Sequence, residues 1–156
     1  MPFLSKGAPT SSTKQGPIPL DPIAHGIGRW VPDLSFTAID GREGKFSDFK
    51  HKKALVVAFI GATCPLSKKF ASSLGSLEKT YATKNIAFLF VDPIATKTAK
   101  ENLKRMVHDH GFRGPVILDL NKDLAVGLGA KSTTDIFVLD SARTLLYRGP
   151  VNDQYG

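Results

Sequence analysis

The chain carries one cysteine, Cys64, in 156 residues, and that thiol is the group best placed to do chemistry. A lone cysteine closes no internal disulfide and cannot supply the two thiolates of the usual structural zinc sites, so Cys64 acts as a single thiol or pairs with another molecule. The thiolate is the nucleophile, and the surroundings of the sulfur decide how much of it is present. Pro65 follows, and it suits the first position of a helix, where its missing N–H would have no partner anyway. Lys68 and Lys69 come within the next turn. First-turn amides and two ammonium groups both favour the thiolate, which places the thiol below its unperturbed value of about 8.5. The alternative is that Cys64 is a small buried apolar residue that happens to lie there.

Few other residues compete. Asp92 ends an apolar run and is either a proton carrier beside the thiol or a turn residue before Pro93. His108 and His110 are two apart on a predicted helix and do not face one another, and His25 and His51 sit in polar contexts, so no metal site is expected. Lysine and arginine number 21 against 14 acidic residues, a formal +7. Such an excess favours anionic partners in general. The cluster Lys50, Lys52 and Lys53 has no interleaved aromatics and reads as solvated charge, so nucleic acid is not expected as a partner.

The elements that must hold Cys64 follow from periodicity. Residues 54–60 are apolar at every position, as in a strand covered on both faces, and residues 86–91 repeat the signature. Between them Leu66, Phe70, Leu74, Leu77 and Tyr81 draw one stripe down a helix that starts beside Cys64. Thr98-Ala99-Lys100-Glu101 matches a capping box, and Ala99, Leu103, Met106, Val107 and His110 continue as a helix face until Gly111. Upstream, residues 34–39 alternate as a strand and meet the turn Asp40-Gly41. Downstream come a short strand at 116–118, a short helix at 122–128 ending at Gly129, and strands at 136–139 and 144–147 joined as a hairpin. This order predicts an α/β sandwich: a mostly parallel sheet, helices on both faces, and an antiparallel edge. Cys64 then lies at the carboxyl end of a central strand, where open sheets of this kind place their reaction sites.

Val31-Pro32-Asp33, Phe36, Asp40-Gly41, Phe46-Ser47-Asp48-Phe49-Lys50, Gly61-Ala62-Thr63-Cys64-Pro65 and Phe137-Val138-Leu139-Asp140 together resemble the thioredoxin-like redoxins. More narrowly, they are similar to the alkyl hydroperoxide reductase and thiol-specific antioxidant family and its thiol-disulfide oxidoreductase relatives, over about residues 30–147. The resemblance implies a thioredoxin-like three-layer sandwich and a redox-active cysteine in an enzyme that is either a thiol-disulfide oxidoreductase or a peroxiredoxin-like antioxidant. It implies Thr63, Cys64, Ser67 and Thr134 as the catalytic set; the local chemistry adds Pro65 and Lys68 as tuners of the thiol and Asp92 as a candidate proton carrier. Thr63 and Ser67 stand where thioredoxins have a tryptophan and a second cysteine, Ala58 where they have a buried acid, and Thr134 where they have a proline facing the thiol. A CxxS site attacks a disulfide but cannot release its partner by internal closure, so an external thiol must do so. The peroxidase pattern's proline and threonine fall at Val57 and Gly61 and its arginine at Thr134, which leaves Arg105, Arg113 or Arg148 to substitute if folding brings one near. Copper-carrying relatives use a second cysteine, absent here. Single-thiol chemistry requires neither cofactor nor metal, and its partners are an external thiol reductant or a disulfide-containing protein. The competing reading is a non-catalytic thioredoxin-like module that binds a partner.

At 42% hydrophobic and 22% charged the chain has an ordinary globular balance. Its expected organisation is a flexible, proline-rich arm over residues 1–28, a thioredoxin-like domain over 29–149 and a tail over 150–156. No apolar stretch approaches the roughly 20 residues of a membrane helix. The first residues lack the apolar core of a secretory signal, so the expected location is cytoplasmic, or extracytoplasmic if the chain is trimmed or a fragment. The tail is too short for the last helix of the fold. The face it would cover is then expected to meet the arm, a second copy or a missing C-terminal segment.

Overall fold

The computed structural model describes residues 26–62, 65–94, 98–131 and 134–149. In chain order the elements are β1 (Ser35–Thr37), β2 (Glu43–Lys45), a 3-10 turn (Phe46–Phe49), β3 (Ala54–Phe59), α1 (Pro65–Ala82), β4 (Ile86–Asp92), α2 (Ala99–His110), β5 (Val116–Leu118), α3 (Asp123–Leu128), β6 (Ile136–Asp140) and β7 (Leu145–Gly149). Five strands form one sheet in the order β5-β4-β3-β6-β7. The three on the β5 side run parallel, and β6 and β7 return antiparallel as a hairpin. The predicted α/β sandwich is therefore the fold, with a mixed sheet and three α-helices among the described residues.

Alternate side chains of the central strands feed two apolar layers. Leu55, Val57, Phe59, Leu89 and Val91 pack with Phe46, Leu124 and Phe137 on one face. Ala58, Phe88 and Phe90 pack with Phe70, Leu74, Leu103 and Met106 on the other. Both central strands are thus covered on both sides, which is why they read as unbroken apolar runs. Beside α1 the second layer stays open as a groove of about 170 Å³ lined by Val56, Leu77, Tyr81, Ile136, Val138 and Tyr147. Among the described residues, no helix is long and apolar enough to cross a membrane.

Three local expectations are corrected. The Thr98 capping box does not form: Thr98 makes no side-chain cap, its hydroxyl takes the Asn102 amide at 3.3 Å, and Glu101 faces Lys104 at 3.6 Å. The buried stripe of α1 is rotated from the one read in the sequence, since Tyr81 is exposed while Ser67, Ala71, Gly75 and Glu78 are buried with Phe70 and Leu74. Gly75 is small of necessity, for a Cβ there would lie 2.5 Å from the His110 carbonyl of α2. Finally, β2 was not predicted, because Glu-Gly-Lys has no apolar alternation; it exists by pairing antiparallel with β1. Gly111 and Gly129 do end α2 and α3, both in the left-handed region that side chains avoid.

Candidate active site at the carboxyl end of the sheet

The parallel ladder between β3 and β4 runs out at Phe59 and Val91. One further main-chain bond, Ile60 N–H to the Val91 carbonyl at 2.8 Å, continues it. Beyond Ile60 the chain must cross from sheet to helix within Gly61 to Cys64, and α1 begins at Pro65, the first helical position as expected. Thr63 and Cys64 lie outside the described residues, as do the side chains of Pro65 and Lys68. The site is therefore built from the described residues around the end of β3.

Ser67, in the first turn of α1, is 1% exposed, and its Oγ accepts the Gly61 N–H at 2.8 Å. Asp92, the last residue of β4, is equally buried. Its Oδ2 accepts the Ala62 N–H at 3.2 Å and its Oδ1 the Ile94 N–H at 2.9 Å. Burial pushes the Asp92 carboxyl above the usual carboxylate range, against the opposing pull of those two amides. Thr134 leads into β6 directly before Asp135, whose carbonyl accepts the Phe59 N–H at 2.8 Å. Folding thus brings Ser67, Asp92 and Thr134 from three elements to the end of β3, where the chain leaves for Cys64.

Ser67, expected in the catalytic set, uses its hydroxyl to accept the Gly61 N–H and so holds the crossover. Asp92 is more than a turn residue before Pro93, because it also reaches across to Ala62. That partner was missed in the sequence. A signal for Ser67 did exist, as a hydroxyl one position from an apolar stripe in a helix that must bury one face.

Of the arginines considered as substitutes, Arg148 donates to the Gly129 carbonyl at 2.7 Å and lies over the Phe137 ring, and Arg105 faces Asn102 in the open. A broader cleft of about 630 Å³ lies between β1–β2 and the β5–α3 connection, lined by residues that include Thr37, Lys45, Asp48 and Asn121. Among the described residues, none of those expected to act lines it. At the other side of that connection, Lys122 Nζ donates to the Pro93 carbonyl at 3.1 Å and ties α3 to the segment after Asp92.

Comparison with known proteins agrees with this fold. No curated protein matches the chain. A hypothetical protein from Sinorhizobium meliloti 1021 is 27% identical, with a TM-score of 0.76, over 81% of this chain and 72% of its own. An uncharacterized conserved protein from Geobacillus kaustophilus is 26% identical, with a TM-score of 0.76, over 82% of this chain and 70% of its own. A thioredoxin-like protein from Aeropyrum pernix, at 18% identity and a TM-score of 0.66 over 78% and 83% of the two chains, shares the fold. The family model described as Redoxin matches residues 27–155. With a thioredoxin-like sheet ending in this crossover, and with that match spanning most of its length, the chain belongs to the redoxin family, which supports a thiol-based redox function.

Proposed function

We propose that the chain is a thiol-based oxidoreductase in which Cys64 is the sole redox centre, acting on disulfides or peroxides and recycled by an external thiol. The observation that carries this is the start of α1 at Pro65, which makes Cys64 the residue directly ahead of the first turn of an 18-residue helix. The amides of such a turn have no partners within the helix and favour an anion.

Toward a disulfide, the Cys64 thiolate forms one S–S bond and expels the other sulfur as thiolate. An external thiolate then attacks the mixed disulfide and returns Cys64. Toward a hydroperoxide, the thiolate takes one oxygen to become a sulfenic acid, and water or an alcohol leaves. One external thiol then displaces water from the sulfenic acid and a second displaces Cys64, so two thiols supply the two electrons. Ser67 cannot close a disulfide, which makes the external thiol obligatory. Asp92, buried and with raised proton affinity, is suited to carry the proton. Lys68 tunes the thiol, Thr134 lines the substrate side, and Thr63 completes the catalytic set.

The test is the rate of Cys64 alkylation by iodoacetamide against pH. A thiol titrating well below about 8.5 supports chemistry. An ordinary titration supports the second reading, a partner-binding module, which the serine at position 67 favours. Peroxide consumption with excess dithiothreitol, compared between the wild type and Cys64→Ser, then divides peroxidase from disulfide exchange.

A further inference from the structure

Gly61 and Ala62 are the first residues past the main-chain bonds of the β3–β4 ladder. Each has its N–H taken by a buried side chain instead: Gly61 by Ser67 from α1, and Ala62 by Asp92 from β4. Two different elements therefore grip consecutive amides just where the sheet releases the chain, and Cys64 is two residues further on. We propose that Ser67 and Asp92 are positioning residues, a two-point strap that sets the direction in which the chain leaves β3 for the thiol, with Asp92 gripping in its ionised form. This rests on the reading of Cys64 as a reactive thiol and adds to it a second task for the proton carrier.

The ionised form matters because a carboxylate only accepts, so both oxygens suit the two N–H groups they meet. A proton on either oxygen turns a donor toward an N–H, and one of the two grips slackens. The charged groups on the neighbouring β5–α3 connection are engaged elsewhere. Asp119 turns its carboxylate to the Leu124 and Ala125 N–H groups at 3.3 and 3.0 Å, and Lys122 donates to the Pro93 carbonyl. On α1, Lys69 is exposed, and Lys68 shares the first turn with Ser67. Among the described residues, the influences on Asp92 are its burial and the two amides.

A strap and a bare negative charge predict opposite signs for the thiol. If Asp92 acted on the sulfur only as a nearby anion, Asp92→Asn would lower the thiol pKa. If it acts as a strap, the asparagine keeps its acceptor on the shorter bond, to Ile94, and points its NH2 at the Ala62 N–H, so the crossover loosens and the helix amides lose their alignment with the sulfur. The thiol pKa then rises. The experiment pairs amide hydrogen exchange at Gly61 and Ala62 with the pH profile of Cys64 alkylation by iodoacetamide, in the full chain and in Asp92→Asn, Ser67→Ala and Ser67→Thr.

The expected result is slow exchange of both amides in the wild type, release of Ala62 in Asp92→Asn and of Gly61 in Ser67→Ala, and alkylation at pH 7 slower by about three- to tenfold in each. Ser67→Thr, which keeps the hydroxyl, restores both readings. Protected Leu89 and Phe90 amides show that a variant has folded. Should Asp92→Asn fail that control, Ser67→Ala and Ser67→Thr carry the test. A thiol pKa that falls or stays put once an amide is released overturns the proposal, as does an amide that exchanges freely in the wild type. A wild-type thiol that titrates as an ordinary cysteine defeats the functional reading instead, and the strap then stands or falls on the two amides alone.

Discussion

Glu78 and Asp92 are both buried carboxyls that hold pairs of main-chain amides, yet they do so in opposite kinds of place. Glu78 projects from the last third of α1 and takes the Arg113 and Gly114 N–H groups at 2.8 and 2.6 Å, locking the helix to the loop that feeds β5. That loop is pressed against the sheet, since Phe90 N–H donates to the Pro115 carbonyl at 3.0 Å. Asp92 makes longer bonds, at 3.2 and 2.9 Å, where regular pairing stops. The same bond inventory serves rigidity in one region and, in the proposed strap, the aim of the crossover toward Cys64 in the other. Loss of a carboxylate should therefore read out as stability at position 78 and as thiol reactivity at position 92.

The largest effect is expected on the rigid side. A Cβ at Gly114 would lie 2.1 Å from the Phe88 carbonyl and 3.1 Å from Glu78 Oε2. Gly114→Ala should cost about 3 kcal/mol or more in urea denaturation, because the Phe88 main chain is fixed in β4 and the Glu78 carboxylate is held by its own two bonds. A cost under about 1 kcal/mol would show that the loop is not the anchored one of the pair. Next, Glu78→Gln leaves one buried amide without its acceptor and should cost about 1–3 kcal/mol while leaving the alkylation profile of Cys64 unmoved. A shift of that profile would erase the contrast.

The pH dependence of Asp92 sharpens the comparison further. Its carboxyl is held above the ordinary value of 3.8 by burial, against the pull of the Ile94 and Ala62 amides. The folded chain therefore binds this proton more tightly than the unfolded chain, so the contribution is full below about 3.8 and is lost as pH rises through the higher folded value. Melting of Asp92→Asn beside the wild type should show the variant gaining relative stability as pH rises from about 3.5 to 7. The opposite slope would place Asp92 with Asp33 and Asp40, whose carboxyls are held low by hydrogen bonds from Ser47 and Arg42. Acid thus stabilises the fold at Asp92 while slackening its grip on Ala62. The smallest effect belongs to Arg29, which donates to the Leu128 carbonyl at 2.7 Å at the end of α3. Arg29→Ala should cost about 1 kcal/mol in the same denaturation and leave Cys64 untouched.

Legibility in the sequence followed the range of the physics. The unbroken apolar runs at β3 and β4 and the glycine stops of α2 and α3 depend on a residue and its near neighbours, and the structure places them within a residue or two of where they were read. The stripe of α1 was read a fraction of a turn off, because apolarity alone hides the buried Ser67 and Glu78. Glu78 could have been found as an acid one position from an apolar stripe. Its partners, 35 and 36 residues away, could not. The Thr98 box matched in type and failed in geometry, since the threonine backbone at φ −103° and ψ 6° is outside the extended region such a cap uses.

Composition and spacing alone determined that this chain has one thiol, that a helix starts directly after it, and that two buried strands of an α/β sheet flank that helix. Those facts are local, set by periods of two and 3.6 residues and by the shapes of proline and glycine. Only the tertiary structure decided what holds the approach to the thiol. Ala62 and Asp92 are 30 positions apart and meet because β3 and β4 pair in parallel register. A main-chain amide carries no label in the sequence, so its side-chain acceptor becomes known only when the elements have packed.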